Sequence, residues 1–486
     1  MQSPKTAHNG HLTLQNKIEN LPPRVVMVSV LLGTLTVSLN NSALNPAVPE
    51  FMKTFDTGPL LASWIVAGFM MAMGLTMPLT GYLSNRYGKR RLYLIGLGLF
   101  VCGSSLGALA PGINWVIAAR IVQGIAGGLM IPLSLPLIFS VYEKEKRGRI
   151  TGIWGTAVML APAVGPFVGG VALELASWQV LFIMNIPFGL SAFVVALVGL
   201  PIARQDANDR QPFDTRGFLS ATLAIAVTMM WLNLLSEEIL PVLAMWGLPI
   251  LAVFAFAYFI RTERKSPAPL LDLGLFTYPC YRISIVITTI QSVGMFVTLI
   301  LIPLQLQTVM GYGPVWTGAA LLCTAVSGSI FVNIGGRWLD WHGPRLTVTT
   351  GLVITGIAAF LLAASDANTP LWGIFALMIL RGIGLGLSYM PVTTAGLNAI
   401  PENRLTQGAA MNNISRRILS SAGIVIASAY LEWHRQTHAP AAQEEMAAIS
   451  QVFLATGLLI AGLLPLACRL PSKVFVQAPV SPRPDL

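Results

Sequence analysis

Amide and guanidinium side chains interrupt apolar stretches that otherwise carry almost no charge, and they are the residues best suited to chemistry. The candidates are Asn40, Asn41, Asn45, Arg120, Gln123, Arg381, Arg416 and Arg417. A charge inside a membrane span costs about 2.5–3.5 kcal/mol on insertion scales and usually faces the protein interior or a water-filled cavity. We interpret these residues as a substrate path or as sites of proton coupling. The alternative is that they only bond to adjacent helices.

Carboxylates are missing from the middle of these stretches. The nearest acids are Glu50, Glu174, Asp340 and Glu432, and each lies at or beyond the end of an apolar run. A proton-driven transporter usually relies on a partly desolvated carboxylate, and this sequence shows none. A cationic, amide-rich centre favours neutral, zwitterionic or anionic organic substrates over lipophilic cations.

The elements that carry these residues are predicted to be membrane-spanning helices. Only 10% of the 486 residues are charged, whereas a soluble protein carries about 25%. Lipid cannot satisfy backbone polar groups, so each run that crosses the ~30 Å hydrocarbon core should be helical. The predicted spans are fourteen, at 25–49, 58–83, 91–110, 113–138, 148–173, 177–200, 217–236, 240–260, 282–308, 314–337, 345–364, 370–394, 405–431 and 450–470.

Basic residues are concentrated on one side of these spans. Of the 30 Lys and Arg residues, 24 fall in the N-terminal tail, alternate loops and the C-terminus, whereas Lys53 and Arg435 lie in the other loops. The positive-inside rule then places both termini in the cytoplasm. The net charge of +10 is thus a topology signal, and no nucleic-acid partner is expected.

A short loop occurs twice in the chain, at 81–90 and again 255 positions later at 336–345. Two related halves in a membrane protein are typical of secondary transporters. We therefore predict a cytoplasmic tail, an N-terminal six-helix bundle, cytoplasmic linkers with an inserted helix pair, a C-terminal six-helix bundle and a second cytoplasmic tail. The boundaries of these five parts are 1–24, 25–200, 201–281, 282–470 and 471–486.

The repeated loop resembles the cytoplasmic signature loop of the major facilitator superfamily. The matching residues are Gly81, Asn85, Arg86, Gly88, Lys89 and Arg90 in the first copy and Asp340, Gly343 and Arg345 in the second. The resemblance implies a conformational gating loop, in which glycines allow sharp turns and the acidic position caps or pairs with a neighbouring helix N-terminus. The first copy has Asn85 where the family normally has Asp, and an amide cannot form an ion pair.

The fifth predicted span carries a second motif, formed by Pro162, Gly165, Pro166, Gly169 and Gly170. It resembles the antiporter motif that marks exporters in the superfamily. Glycines at four-residue spacing allow helices to approach closely, and the prolines should kink the helix. The resemblance implies export, and the alternative is plain helix packing.

The first span narrows the resemblance to the fourteen-span drug/proton antiporter family, in which the position of Asn40 is normally Asp. The fourth span resembles the superfamily's fourth-span motif, in which the position of Arg120 is implicated in proton transfer. Thr34, Ser38, Asn41 and Asn45 also share one helical face, which should point to a cavity or a partner helix. Methionines in the second span could line an adaptable apolar pocket.

The sequence thus predicts an all-α membrane protein with the major facilitator fold, built of two pseudo-symmetric six-helix bundles and two inserted helices. We expect a secondary active transporter that exports drugs or toxic metabolites across the bacterial inner membrane by alternating access, coupled to protons. The alternative is a facilitator, or a specific exporter of an organic anion or endogenous metabolite without carboxylate-based coupling. Expected partners are a small-molecule substrate, protons, membrane lipid and, by family analogy, a periplasmic adaptor protein.

Other classes of protein lack their signatures here. The four cysteines show no paired spacing, so neither a disulfide framework nor a metal site is expected. An HExxH motif and a His-rich box, which would favour a membrane enzyme, are absent. No loop is long enough for a soluble signalling domain, and Gly88-Lys89 lacks the flanking residues of a phosphate-binding loop. We expect no cofactor.

Overall fold

The computed structural model describes residues 23–44, 47–200, 214–235, 242–266, 269–437 and 442–472. Within these ranges all regular secondary structure is helical. The all-α class predicted from the apolar runs is therefore confirmed. Asn45 of the predicted path, and the parts of the predicted tails and linker at 1–22, 201–213 and 473–486, lie outside the described residues.

Fourteen helices of at least 15 residues form the framework of the described chain. They are α1 (Pro23–Ala43), α2 (Pro59–Tyr87), α3 (Lys89–Ala108), α4 (Ile113–Phe139), α5 (Arg147–Leu175), α6 (Asn185–Gly199), α7 (Thr215–Leu235), α8 (Val242–Lys265), α9 (Pro279–Pro303), α10 and α11 (together Pro314–Ala363), α12 (Leu371–Asn398), α13 (Leu405–Thr437) and α14 (Ala442–Ala461). The run Pro314–Ala363 counts as two helices because its backbone leaves the helical region at Gly343.

Each predicted span overlaps one of these helices. By length and composition, nine helices of the described chain could cross a membrane, or ten when the bent α5 is included. One of the nine is the undivided α10–α11 run, whose 50 residues extend over about 75 Å at 1.5 Å per residue. That length is enough for two crossings.

The segment 432–449 between the last two predicted spans is expected from the sequence to be a loop, but its described residues are helical. Helix α13 continues to Thr437 and α14 already begins at Ala442, so Glu444 and Glu445 lie in the first turn of a helix. Acidic residues suit that position because a helix N-terminus carries a partial positive charge. The polar composition of this segment therefore marks exposed helix ends and not a long loop.

Two glycines make the sharp turns expected in the repeated loops. Gly88 ends α2 with φ of 88°, and Gly343 separates α10 from α11 with φ of 77°. This left-handed region is open to glycine at little cost and strained for other residues. The second and third helices of each half are therefore joined in the same way.

The two halves also pack their helices in equivalent pairs. In the first half α1 packs against α5 and α2 against α4, and in the second α9 packs against α13 and α10 against α12. The halves meet along α5–α10 and α2–α13, and the inserted helix α7 contacts both α2 and α13. Two six-helix bundles with an inserted pair are the architecture predicted from the repeat, whereas the exact domain boundaries stay a prediction.

Candidate functional site

A buried polar network joins three helices of the first half. The guanidinium of Arg120 on α4 donates from Nη1 to Oδ1 of Asn40 on α1 (2.5 Å) and to Oε1 of Gln123 (2.9 Å). Gln123 in turn donates from Nε2 to Oγ of Ser104 on α3 (2.9 Å). We call these four residues the central network. The structure thus brings together three of the residues that the sequence placed on the substrate path.

Arg120 is held on its other sides by neutral groups. Its Nε donates to the carbonyl oxygen of Ile65 (3.0 Å), and its guanidinium lies 4.1 Å from the ring centroid of Phe69. The side chain has no solvent exposure. Cation–π contact and carbonyl bonds stabilise a buried cation only partly, because neither supplies an opposite charge.

The predicted polar face of α1 contacts partner helices at its Thr34 end, which is one of the two alternatives that its spacing left open. Thr34 is buried and bonds to Ser134 of α4 (3.2 Å) and to the indole Nε1 of Trp154 of α5 (3.2 Å). Asn40 lies off that face and is the residue that reaches Arg120. The Thr34 end of the face therefore joins neighbouring helices, whereas Asn41 has an oxygen that is buried without a hydrogen-bond partner.

The arginines of the second half are likewise bound by uncharged groups. Arg381 donates to the carbonyl oxygen of Gly294 (2.8 Å) and Arg416 donates to the hydroxyl of Tyr389 (2.8 Å). Arg417 points across the boundary between the halves and contacts Sδ of Met70 (3.1 Å) and Met73 (3.0 Å) on α2. Thioethers are weak acceptors, so the charge of Arg417 is poorly compensated where the two halves meet.

The motif of the fifth span packs α5 against α1. A Cβ at Gly165 would overlap Ser42, and one at Gly169 would overlap the carbonyl oxygen of Ala43, whereas Gly170 has open space around it. Only glycine permits this approach. Two of the three glycines thus act in helix packing, which is the alternative reading of the motif.

Helix α5 is bent in the same motif. Two straight pieces, Lys144–Ala161 and Val164–Leu173, meet at an angle of 43°. Proline lacks the N–H that would continue the helical bonds, and position 162 lies where the two pieces meet. The kink predicted from the sequence is present.

The two halves are joined at the end of the molecule that carries the loops 81–90 and 336–345, which we call the loop face. The carboxylate of Asp340 accepts hydrogen bonds from the backbone N–H of Gly148 (2.9 Å) and of Arg149 (2.8 Å) at the start of α5. A negative group at a helix N-terminus satisfies free N–H groups and interacts favourably with the helix dipole. Asp340 of the second half therefore caps a helix of the first.

Arg147 makes a second connection at the loop face. The side chain is buried, and Nη2 donates to Oε1 of Glu402 (2.9 Å) while Nη1 donates to Oδ1 of Asn398 (3.3 Å). Sequence reasoning missed these residues. The signal was available, because Arg147 and Glu402 are separated by the same 255 positions as the repeated loops.

Most other residues of the repeated loops bind within their own half. Arg86 donates to the hydroxyl of Tyr82 (2.6 Å), Arg90 to the carbonyl oxygen of Leu197, and Nε of Arg345 to the carbonyl oxygen of Leu470 (2.9 Å). Asn85 is exposed, whereas its equivalent Asp340 is half-buried between the halves. Among these candidates, the structure places Asp340 and Gly81 at the boundary, with Gly81 against Gln407 of α13.

Repeated six-helix bundles that meet at one face and enclose uncompensated arginines point to one family. The sequence model of the Major Facilitator Superfamily matches residues 30–424. The chain belongs to this superfamily. It is therefore an integral multi-pass membrane protein with a transporter fold.

Two bacterial relatives and one solved structure illustrate the likeness. The uncharacterized MFS-type transporter YhcA of Bacillus subtilis is 28% identical over 82% of this chain and 75% of its own. The multidrug export protein EmrB of Escherichia coli is 26% identical over 85% and 81%. The proton:xylose symporter XylE, at 15% identity, superposes with a TM-score of 0.62 over 91% of this chain and 96% of its own, which shows a shared fold. The expected likeness to multidrug efflux transporters is confirmed.

Proposed function

We propose that the protein exports amphipathic small molecules across the bacterial inner membrane by alternating access, driven by protons. Membership of the superfamily and the likeness to a multidrug export protein support transport and efflux. The observation that carries the mechanism is the capping of α5 by Asp340, because it joins the two halves through contacts that a rocking motion can break and re-form.

The contacts at the loop face are of a strength that permits such a cycle. Hydrogen bonds to charged groups contribute about 1.5–3 kcal/mol each, and Asp340 and Arg147 supply a few of them. A population shift from 1:99 to 99:1 requires about 5.5 kcal/mol of differential binding. A substrate or proton that binds the open and closed forms unequally can therefore drive the loop face open and shut.

Orientation follows from the charge distribution. The loop face carries the basic loops, so the positive-inside rule places it, with both termini, in the cytoplasm. The conformation described here is then closed toward the cytoplasm. We propose membrane lipid as the surrounding partner and, by analogy with exporters of double-membrane bacteria, a periplasmic adaptor protein as a further one.

The alternative, export of an organic anion without carboxylate-based coupling, is favoured by a specific observation. The ion pairs in the described part of the chain involve none of Arg120, Arg381, Arg416 and Arg417. A substrate screen in proteoliposomes with and without an imposed pH gradient separates the two functions. Proton-driven export predicts flux that requires the gradient, and the alternative predicts flux of anions without it.

Alternating access itself is tested by pinning the loop face. Nδ2 of Asn333 on α10 donates to Oγ1 of Thr156 on α5 (2.7 Å), so the pair Thr156→Cys and Asn333→Cys, in a protein freed of its four native cysteines, should form a disulfide between the halves. We expect oxidation to stop flux and reduction to restore it.

A matched pair within one half provides the control for this experiment. Nε2 of Gln307 donates to Oγ1 of Thr317 (3.1 Å), and both residues belong to the second half. Oxidation of Gln307→Cys with Thr317→Cys should leave flux intact. Undiminished flux in the pinned Thr156–Asn333 pair would contradict alternating access.

A further inference from the structure

The charge of Arg120 has no counter-charge among the described residues. Its acceptors are an amide oxygen of Asn40, an amide oxygen of Gln123 and the carbonyl oxygen of Ile65. Removing a cation from water without a partner costs several kcal/mol even after relaxation of the surroundings. A site of this kind is stable when an anion completes it.

Two hydrogen-bond donors of the central network are left without acceptors. Nη2 of Arg120 and Nδ2 of Asn40 are both buried and have no hydrogen-bond partner. They belong to the two side chains that the bond from Nη1 of Arg120 to Oδ1 of Asn40 joins at 2.5 Å. Unsatisfied buried donors are rare in native structures and call for an acceptor.

Two other arginines, Arg381 and Arg417, also lack carboxylate partners in the ranges that the structure describes. Arg381 bonds to a backbone carbonyl, and Arg417 lies between the halves against Met70 and Met73. No described Asp or Glu lies in the middle of a helix near these side chains. Buried guanidinium groups without carboxylate partners in a low-dielectric interior favour an anion over a cation.

We infer that Arg120 and Asn40 bind a carboxylate group, and that this group belongs to the transported substrate. Two donors from one guanidinium nitrogen and one amide nitrogen match the two oxygens of a carboxylate, and its single negative charge neutralises Arg120. The thioethers of Met70 and Met73 lie at the boundary of the halves, where an apolar part of the same molecule can pack. This inference rests on the proposed function and narrows its substrate class to amphipathic organic anions.

A thermal-unfolding titration of the full-length protein in lipid nanodiscs tests the inference without requiring transport. The probe is sodium benzoate, its neutral control is benzamide, and sodium chloride is a separate arm in a sulfate background of constant ionic strength. We expect benzoate to raise the unfolding midpoint saturably, because a ligand that binds only the folded state stabilises it. Benzamide and chloride should have no comparable effect.

Three variants connect the response to the central network. Arg120→Gln should weaken benzoate binding by roughly thirtyfold or more, as loss of one partner of a buried charge pair does. Asn40→Asp supplies an internal carboxylate, so it should raise the midpoint without ligand and abolish the benzoate response. Asn185→Asp is the matched control, since Asn185 is buried on α6 and donates to the carbonyl oxygen of Leu181; it should lower the midpoint and keep the response.

Several outcomes would overturn the inference. One is an equal response to benzamide and benzoate, and another is saturation of the site by chloride, which would assign it to an inorganic ion. A third is destabilisation of Asn40→Asp to the same extent as Asn185→Asp. A negative titration with intact flux in proteoliposomes would overturn this inference alone, whereas a positive titration without flux would overturn the proposed function alone.

Discussion

The two copies of the repeated loop share a sequence pattern but make different contacts. In the second copy Asp340 is half-buried and accepts hydrogen bonds from two backbone N–H groups of α5. In the first copy the equivalent residue, Asn85, is exposed, and Gly81 provides the close contact with α13 by packing against Gln407. In the second copy, a carboxylate therefore caps a helix of the opposite half.

This difference indicates which copy of the loop contributes more to closing the loop face. A carboxylate at a helix N-terminus contributes about 0.3–2 kcal/mol depending on burial, and it also satisfies N–H groups that would otherwise lack partners. An amide offers one oxygen and no charge. Variants of the second copy should therefore affect closure more than variants of the first.

The largest effect on closure of the loop face is expected from Gly336→Ala. A Cβ at this position would overlap the carbonyl oxygen of Gly148, which is backbone and cannot turn away. Overpacking of this kind costs about 1–3 kcal/mol, so the loop face should fail to close. Labelling of Ser329→Cys, which is 6% exposed on α10, by an impermeant maleimide added to the loop face should become faster.

The matched control is Gly318→Ala on the same helix, where an added Cβ would meet open space. It should leave the labelling rate of Ser329→Cys unchanged. Slow labelling in both variants would show that the α5–α10 contact does not limit access.

The next effect is expected from Asp340→Ala. Loss of a cap costs about 0.5–2 kcal/mol, because the N–H groups of Gly148 and Arg149 lose their acceptor. The same labelling assay should show faster modification at the loop face and a lower rate of export. Asp340→Asn keeps one acceptor oxygen and should give an intermediate rate, and an unaltered rate in Asp340→Ala would refute the role of the cap.

Glu263 contrasts with Asp340. Asp340 caps a helix, whereas Glu263 is a buried acid near another carboxylate. It lies at the end of α8, beyond the predicted span, and is 3% exposed. Burial, followed by the charge of Asp214, raises the pKa of Glu263 to about 7, although backbone groups of Leu271 and Leu270 oppose this shift. The folded state therefore keeps a proton that the unfolded state releases.

The sign of the pH dependence follows from this proton. Between the ordinary pKa of 4.5 and about 7, the folded state binds more protons than the unfolded state, so stability should fall as the pH rises. Glu263→Gln should remove that decline and stabilise the protein at pH 8 by about 1–3 kcal/mol, measured as an unfolding midpoint. The exposed Glu143→Gln should change little, and a parallel decline in Glu263→Gln would contradict the assignment.

The smallest effect is expected from Asn85→Asp, which restores an acid to the first copy. Because Gly81 packs against Gln407 near the start of α13, a carboxylate in this loop can interact with that helix N-terminus. The gain is about 0.3–1 kcal/mol, and labelling of Ser329→Cys should slow by a factor of roughly two to five. Asn85→Gln should not slow the labelling. Equal labelling rates in the parent protein, Asn85→Asp and Asn85→Gln would show that the two copies are not interchangeable.

The architecture was largely accessible from the sequence. Long uncharged runs must be helical in lipid because the backbone has no other partner there, and the repeated loop divided the chain into equivalent halves. The one clear error, the loop at 432–449, arose where charge marks an exposed helix end, since Glu444 and Glu445 in a first turn have the composition of a loop.

The candidate site was only partly accessible. Side-chain type and apolar surroundings singled out Arg120 and Asn40, because a buried charge or amide is costly in any arrangement. Helical spacing favoured Thr34 and Asn41 as neighbours on one face, yet Asn40 is the residue that meets Arg120. Which face of a helix contacts which neighbour depends on packing angles that no single helix encodes.

The sequence by itself determined that the chain crosses the membrane repeatedly in two related halves, because hydrophobicity and helix formation are local properties and the repeat is visible in the order of residues. Only the tertiary structure decided which residues of one half bind the other half. The capping of α5 by Asp340 and the bond from Arg147 to Glu402 join residues more than 190 positions apart. Contacts of that kind depend on how two finished bundles dock, and two loops of similar sequence acquired different partners for that reason.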